Sequence, residues 1–230
     1  MTEPINRDLL EAFAELRVAD VRDGLDAVGY IGFGSMSPDI RPLHRTRASG
    51  IARTARYLPF QGPLPQVEPD EYMKWAGWYY SHVCTYPWVE HIEPGDFIVI
   101  DASQVNAGLM GSENTLACLR RGARGLVTSG GVRDTDEVIL QNVPFWSRLC
   151  SQSMVQARLQ FDQMGVPVAV GGVTVVPGDV VVADGDGVIV VPRAVAMDVA
   201  RHAQAERQRD RTSRRKHYDA LGMAPDETVD

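Results

Sequence analysis

The sequence holds little that would mark a secreted or membrane-bound protein. Its three cysteines, Cys84, Cys118 and Cys150, are widely spaced and form no CxxC pair. Such an odd, scattered set predicts buried, reduced thiols rather than a disulfide framework or a metal site. No apolar run approaches the roughly 20 residues that a membrane helix needs, and the charged start MTEPINRDLLEAF does not resemble a secretion signal. We therefore expect a cytoplasmic protein without a membrane partner.

Several common functional motifs are also missing. The net charge of −7 and the isoelectric point near 5.2 disfavour a nucleic-acid partner, because phosphate binding needs clustered basic residues. No GxGxxG or GxxxxGK[ST] motif indicates a familiar nucleotide fold, and no GxSxG motif indicates a serine hydrolase. The five histidines show no HxH or HExxH spacing, which disfavours a zinc site.

The hydrophobic pattern predicts an α/β protein with a largely parallel, layered sheet. Two short helices fill the first 30 residues, a strand surrounds Ile51, a proline-rich loop covers 59–70 and an aromatic helix follows over 71–84. Strands and helices then alternate. The predicted order is a strand at 97–101, a helix at about 112–121, a strand at 125–129, a short helix at about 134–141 and a strand at 166–170.

Turn residues locate the remaining strands. Pro94-Gly95-Asp96 and Pro177-Gly178-Asp179 each precede an apolar run, which is the pattern of a type II turn that leads into a buried strand. The run from Asp184 to Gly187 has the Asp-Gly pattern of a hairpin turn and lacks the other positions of a calcium loop. Pro192 opens a polar C-terminal helix, which is either frayed or packed against another subunit.

The first group of candidate site residues lies at the predicted start of a helix and consists of Gly111, Ser112, Glu113 and Asn114. Exposed N–H groups and the helix dipole at such an end bind carboxylate or phosphate. On this motif alone, ordinary helix capping by Ser112 is the favoured interpretation.

A second candidate group is Gly130-Gly131-Val132-Arg133-Asp134 at the carboxyl end of a predicted strand. The glycines allow a ligand to approach the backbone, Arg133 offers a planar fork for a carboxylate, and Asp134 could hold Mg²⁺ or Mn²⁺. An isolated Arg-Asp pair is also common on surfaces, but ligands of α/β sheets bind beyond the carboxyl ends of the strands. Asp101 is either a ligand-orienting residue or a turn cap, and the aromatic residues at 75–88 indicate core or interface more than a pocket.

These segments resemble the RraA-like family. The resemblance spans about residues 18–195 and rests on GDFIVID at 95–101, Gly111, GARGLVTSGGVRD at 122–134 and PGDVVVADGDGVIVVP at 177–192. The family includes class II pyruvate aldolases, which act on 4-hydroxy-4-methyl-2-oxoglutarate and 4-carboxy-4-hydroxy-2-oxoadipate, and also regulators of ribonuclease E activity.

The resemblance implies a swivelling β/β/α fold, a trimer or a dimer of trimers, and an active site between subunits. In that site Asp134 would hold a divalent metal, Mg²⁺ or Mn²⁺, and Arg133 would bind the carboxylate of a small 2-oxo acid. The amides after Gly111 would complete the anion site. The expected reaction is cleavage of 4-hydroxy-2-oxo acids to pyruvate, with oxaloacetate decarboxylation as a side activity.

One departure from the aldolase pattern concerns the proton route. The aldolases carry aspartate directly after the loop glycine, whereas this chain has Ser112 and then Glu113. Because successive residues at a helix start point in different directions, Glu113 does not inherit the role automatically. A non-catalytic regulator and a different metal-assisted lyase or decarboxylase therefore stay open as alternatives.

We expect residues 1–195 to form the catalytic domain and residues 196–230 to form a helical tail at a subunit interface. In that tail, Glu206 is a candidate for completing the site of a neighbouring subunit.

Overall fold

The structure is a computed structural model that describes residues 7–229, so the first six residues and Asp230 of the expected domain ranges lie outside it. Its helices are α1 (Arg7–Phe13), α2 (Val18–Ala27), α3 (Tyr72–His82), α4 (Ser112–Arg120), α5 (Thr135–Leu140) and α6 (Ala196–Leu221). Its strands are β1 (Arg41–Pro42), β2 (Ala48–Pro59), β3 (Asp96–Asp101), β4 (Gly108–Met110), β5 (Gly125–Val132), β6 (Phe145–Cys150), β7 (Leu159–Met164), β8 (Val168–Val170), β9 (Val173–Val175), β10 (Val180–Asp184) and β11 (Gly187–Val191). Single 3-10 turns cover Pro69–Glu71, Pro87–His91 and Arg193–Val195.

The fold is α/β, as predicted, but its main sheet is mixed rather than largely parallel. Nine strands form this sheet in the order β1-β6-β5-β3-β2-β10-β11, with β4 on β5 and β7 on β2. The central strands β2, β3, β5 and β6 run parallel, while β1, β7 and the β10–β11 hairpin are antiparallel to their neighbours. The hairpin turn predicted at Asp184–Gly187 is confirmed.

The strands differ from the sequence predictions in three respects. The strand predicted at 166–170 is β8, and it pairs only with β9 in a separate two-stranded sheet. The strand predicted at 125–129 continues to Val132, because Gly130 and Gly131 remain extended and pair with their neighbours. Strands β4, β6 and β7 were not predicted, since β4 has three residues and the other two lack a continuous apolar run.

Side-chain alternation in β3 explains how the sheet buries both faces. Ile98 and Ile100 pack on one face with residues of α3, α4 and α5. Phe97 and Val99 pack on the other face with the β8–β9 sheet. Both faces exclude water, which is why β3 is a continuous apolar run rather than an alternating one.

A third buried cluster joins α1, α2 and α6 to the β10–β11 hairpin. Helix α2 approaches α6 so closely that a Cβ on Gly24 would lie 2.6 Å from the carbonyl oxygen of Val199. The apolar stripe of α6 covers only its first turns, through Ala203. The rest of α6 is polar, as the sequence predicted.

The two Pro-Gly-Asp turns are type II turns, and each aspartate closes its own turn. Gly95 and Gly178 have φ values of 102° and 96°, which glycine adopts without strain. The Asp96 carboxylate accepts a hydrogen bond from the N–H of Glu93, and the Asp179 carboxylate accepts one from the N–H of Val176, both at 2.8 Å. The repeated motif is therefore one capping device used twice.

Asp179→Ala is expected to destabilise the fold by about 2 kcal/mol, because two backbone N–H groups lose a buried acceptor. Asp179 is 8% exposed and also accepts a hydrogen bond from the N–H of Arg193 at 3.3 Å. Urea unfolding at neutral pH measures the loss. Asp23→Ala, which removes an exposed aspartate of α2, is the control. Equal stability of the two variants would contradict this role.

The same variant should show a pH dependence. Burial raises the pKa of Asp179, so the folded protein binds a proton there at a higher pH than the unfolded chain does. The contribution of Asp179 to the free energy of unfolding therefore increases as the pH falls through its raised folded-state pKa towards the ordinary pKa of an aspartate in the unfolded chain. The penalty of Asp179→Ala is expected to grow between neutral pH and about pH 4.5.

Candidate active site

Strands β4 and β5 bring the two predicted site segments together. They run parallel, and the backbone N–H of Arg133, just beyond β5, donates a hydrogen bond to the carbonyl of Met110 at 2.9 Å. Arg133 therefore lies beside Gly111, although the two residues are 22 positions apart in the sequence. Both segments end at the carboxyl edge of the parallel strands, where ligands of such sheets bind.

Two glycines make room for the Arg-Asp pair. A Cβ on Gly108 would lie 2.8 Å from the Cβ and Cγ of Arg133. A Cβ on Gly111 would lie 2.4 Å from Oδ2 of Asp134. Real Cβ atoms do not approach other atoms so closely. The side chains of Arg133 and Asp134 can therefore occupy their positions only because residues 108 and 111 are glycines.

Asp134 occupies an unusual backbone position. Its φ of 53° and ψ of 41° are left-handed, and it is the residue that precedes α5. Non-glycine residues adopt this conformation at a cost, and such strain is concentrated at functional sites. The conformation turns the Asp134 side chain back towards α4.

Two hydrogen bonds hold the Asp134 carboxylate. Nε of Arg133 donates to Oδ1 at 3.0 Å, and the backbone N–H of Ser112 donates to Oδ2 at 3.3 Å. The N–H of Ser112, which the sequence assigned to a substrate carboxylate, thus holds the carboxylate of Asp134. The side chains of Arg133 and Asp134 are each 34% exposed, so a ligand has access to both.

The remaining residues of the α4 start differ in position. Glu113 is exposed, while Ser112 and Asn114 are half-buried. The Thr115 hydroxyl donates to the Gly111 carbonyl at 3.0 Å and closes the first turn. Asn114 lies beside the hydroxyl of Tyr86. The structure therefore brings Gly111 and Ser112 to the Arg133–Asp134 pair and leaves Glu113 in solvent.

An open pocket of about 340 Å³ surrounds the pair. Its lining consists of Val132, Arg133, Asp134, Thr135, Cys150, Ser151 and Gln152. The last three were missed by sequence reasoning because β6, which carries them to this edge, was not predicted. Cys150 is exposed, so the prediction of three buried thiols is wrong for this residue and holds for Cys84 and Cys118.

The donor set suits one kind of metal. Within residues 7–229 no three His, Cys, Asp or Glu side chains cluster as a metal site. A lone, partly exposed carboxylate next to an open pocket fits Mg²⁺ or Mn²⁺, which take one or two protein oxygens and fill the other positions with water and substrate. It does not fit structural zinc, which needs four protein ligands.

Two tyrosines lie near the site on the α3 side. The Tyr86 hydroxyl donates to the carbonyl of Leu109 at 2.7 Å, and the Tyr80 and Tyr86 rings lie 6.3 Å apart. Burial raises the pKa of Tyr80, and Gln156 and Arg133 oppose this rise. The sequence predicted that these aromatic residues belong to the core or to an interface. Trp88 is indeed buried, but Tyr80 and Tyr86 also neighbour the site.

Asp101 caps a turn and does not reach the pocket. Its Oδ1 accepts hydrogen bonds from the N–H of Ser103 at 2.9 Å and from the hydroxyl of Ser129 at 3.1 Å. The turn-cap alternative is therefore the one observed.

A cavity larger than this pocket lies at the opposite end of the parallel strands. Its volume is about 560 Å³, and Arg53, Asp96 and Arg193 are among its lining residues. Arg53 forms an ion pair with Asp96, and burial raises the pKa of that carboxyl group. Since its charges are paired and it lacks the glycine-framed geometry at Arg133, volume alone does not make it the active site.

Comparison with known proteins defines the class of this chain. The RraA-like family model, described as Aldolase/RraA, matches residues 18–190, so the chain belongs to the RraA-like family. An uncharacterized protein from Pseudomonas syringae pv. tomato is similar at 28% identity, over 96% of each chain, with a TM-score of 0.75.

Two further solved structures extend the comparison. Streptomyces coelicolor RraAS2, an unusual member of the RNase ES inhibitor RraA protein family, is 28% identical over 91% of this chain and 96% of its own, with a TM-score of 0.73. The RNA-processing inhibitor RraA from Thermus thermophilis shares the fold at 21% identity, over 77% and 93%, with a TM-score of 0.55. No helix in the described part of the chain is long and apolar enough to span a membrane.

Proposed function

We propose that this chain is a divalent-metal-dependent lyase that cleaves 4-hydroxy-2-oxo acids to pyruvate, with oxaloacetate decarboxylation as a side activity. The substrates are of the 4-hydroxy-4-methyl-2-oxoglutarate or 4-carboxy-4-hydroxy-2-oxoadipate type. The observation that carries the proposal is the Arg133–Asp134 pair, framed by Gly108 and Gly111 at the carboxyl edge of the sheet. Membership of a family named for aldolases supports it.

Asp134 would hold the Mg²⁺ or Mn²⁺ ion, which when bound supplies positive charge to stabilise the pyruvate enolate. Arg133 binds the substrate carboxylate. Its Nε is engaged with Asp134, whereas its two terminal nitrogens make no hydrogen bond within residues 7–229 and form a fork for two carboxylate oxygens. This grip fixes the C3–C4 bond in one orientation, which lowers the barrier by pre-organisation.

The bond to be broken lies between C3 and C4. Loss of the proton from the C4 hydroxyl makes a carbonyl at C4, and the electrons of the C3–C4 bond pass to the pyruvyl fragment as an enolate. Protonation of its C3 gives pyruvate. We place the water that takes the hydroxyl proton at the α4 start, between Ser112, which contacts Asp134, and Glu113, which faces the solvent. Gly111 and Asn114 complete the substrate side of this helix start.

We further propose a homo-oligomer, a trimer or a dimer of trimers, with the site at a subunit boundary. Leu116, Ile139 and Leu140 of α4 and α5 are large apolar residues that are 41%, 40% and 87% exposed, which supports burial against another copy. The polar part of α6 is proposed to lie at a subunit interface, and Glu206 is its candidate contribution to a neighbouring site.

A regulator that binds a protein partner is the second candidate, because one 28% identical structure belongs to an RNase ES inhibitor family. A purely binding protein has no need of a pocket for metal and oxo acid. A metal-assisted lyase or decarboxylase that acts on another hydroxy or oxo acid is the third, because Ser112 replaces the expected aspartate. Pyruvate release from a panel of 4-hydroxy-2-oxo acids and oxaloacetate, with Mg²⁺ or EDTA, separates them.

Cys150 provides a test of pocket occupancy that does not depend on turnover. Burial raises the pKa of Cys84 and Cys118 to about 12, whereas Cys150 is exposed beside Asp134. Because the thiolate is the reactive form, iodoacetamide is expected to modify Cys150 alone in the folded protein at pH 8. Mg²⁺ together with oxalate, a pyruvate enolate analogue, should slow this modification.

Mass spectrometry of the modified peptide gives the rate, and Cys150→Ser supplies the control without a reactive thiol. Oxalate with EDTA should give no protection. An unchanged rate with Mg²⁺ and oxalate would remove the support for ligand binding at this pocket and favour the regulator.

A further inference from the structure

Six arginines line an open pocket of about 480 Å³ that is separate from the site at Asp134. They come from the α1–α2 connection, from the segment before β2 and from α6. The six residues are Arg17, Arg45, Arg47, Arg207, Arg211 and Arg214. The chain has 23 basic residues, all but two of them arginines, and a net charge of −7. Six arginines around one pocket are therefore a local concentration of positive charge on an acidic protein.

Four of these arginines are paired with carboxylates. Asp20, Asp210 and Glu15 hold them from the sides of the pocket and fix their positions. The ion pairs are Arg17 with Asp20 at 2.5 Å, Arg214 with Asp210 at 3.0 Å, and Arg47 and Arg207 with Glu15 at 3.5 and 3.3 Å.

The other two, Arg45 and Arg211, have no side-chain hydrogen bond or ion pair with any residue from 7 to 229. Arg211 is half-buried on α6, so its guanidinium is partly removed from water without a compensating partner. Arg45 lies against the β10–β11 turn, where a Cβ on Gly185 would be 2.4 Å from its Nη1. The turn thus admits the Arg45 guanidinium because it carries no side chain there.

Besides Glu15, three carboxylates line the pocket, and they form no ion pair with the two free arginines. Both oxygens of Asp184 accept backbone hydrogen bonds, from the N–H of Val18 at 2.9 Å and that of Asp186 at 2.8 Å. Asp186 and Glu227 are exposed, and neither forms an ion pair with Arg45 or Arg211.

We propose that this pocket binds a small polyvalent oxyanion of the phosphate class, with Arg45 and Arg211 as its direct ligands. The two guanidiniums reach the pocket from different elements, the segment before β2 and helix α6. Donors in two planes suit a tetrahedral phosphate, whereas a planar carboxylate is satisfied by one guanidinium fork. The volume suits a small molecule. This site is independent of the lyase reaction proposed above.

The test is isothermal titration calorimetry, which measures the affinity of the full-length protein for pyrophosphate at low salt. Arg45→Gln/Arg211→Gln is expected to weaken binding at least tenfold, because the variant loses both guanidiniums that donate charge-assisted hydrogen bonds to the anion. Arg120→Gln/Arg124→Gln is the matched control, because both residues are exposed, lie outside the pocket and give the same change in net charge. The control should bind like the wild type.

Arg45→Lys/Arg211→Lys keeps the charge and loses the planar forks, and it is expected to bind several-fold more weakly than the wild type. Parallel titrations with inorganic phosphate and ADP show whether the pocket binds a free or an esterified phosphate. Binding of either ligand to the wild type, together with its loss in Arg45→Gln/Arg211→Gln, supports the proposal. Three results would overturn it. They are no binding to the wild type, equal weakening in the pocket and control variants, and full affinity in the pocket variant.

Discussion

Asp134→Asn is expected to abolish metal-dependent pyruvate release, with a fall in kcat/KM on the order of 10³-fold or more. Loss of the metal removes several kcal/mol of enolate stabilisation, and each ~1.4 kcal/mol is a factor of ten in rate. Asparagine is the informative substitution because it tolerates the left-handed backbone at φ 53° and still accepts the N–H of Ser112. The fold should therefore survive while the metal ligand is lost.

The control for this variant is Asp136→Asn. Asp136 lies two residues further on, in the first turn of α5, and is exposed. It should retain wild-type activity, and both variants should melt within a few degrees of the wild type. Pyruvate release by Asp134→Asn at the wild-type rate would show that Asp134 does not hold a catalytic metal.

Gly111→Ala is expected to lower kcat/KM by about 10²-fold with little change in stability. The backbone of Gly111 is extended, with φ −142° and ψ −171°, which alanine adopts freely, so the effect is steric. The new Cβ would lie 2.4 Å from Oδ2 of Asp134 and must displace that carboxylate. Misplacement of a catalytic group by about 1 Å costs about 10²-fold in rate.

Gly77→Ala is the matched control for this substitution. A Cβ on Gly77, in α3, meets nothing within 4 Å, and alanine is the better helix former by about 0.5–1 kcal/mol. Its activity should equal that of the wild type, and its melting temperature should rise slightly. The account of the glycine-framed carboxylate fails if Gly111→Ala is as active as Gly77→Ala.

The central part of the fold and of the site was predictable because its signals are local. Continuous apolar runs identify β3 and β10, and Pro-Gly-Asp identifies the turns before them. The order of strands and helices then places Arg133 at a carboxyl edge. These features follow from residues that are neighbours in the sequence.

The unpredicted part depends on contacts between distant segments. β6 has a mixed pattern and becomes a strand by pairing with β5, so Cys150, Ser151 and Gln152 could not be placed beside Asp134. The position of Tyr80 and Tyr86 next to the site likewise depends on a contact between distant segments, the hydrogen bond from the Tyr86 hydroxyl to the Leu109 carbonyl of β4. Sequence reasoning also missed that the N–H of Ser112 holds Asp134, since the left-handed turn at Asp134 has no local signal.

Pyruvate release from 4-hydroxy-4-methyl-2-oxoglutarate, 4-carboxy-4-hydroxy-2-oxoadipate and oxaloacetate, measured with Mg²⁺ and with EDTA, tests the central claim most directly. We predict release from oxaloacetate and from at least one of the two hydroxy acids, dependent on Mg²⁺ and lost with EDTA. No turnover on any of the three with Mg²⁺ or Mn²⁺, or turnover that persists with EDTA, would contradict it.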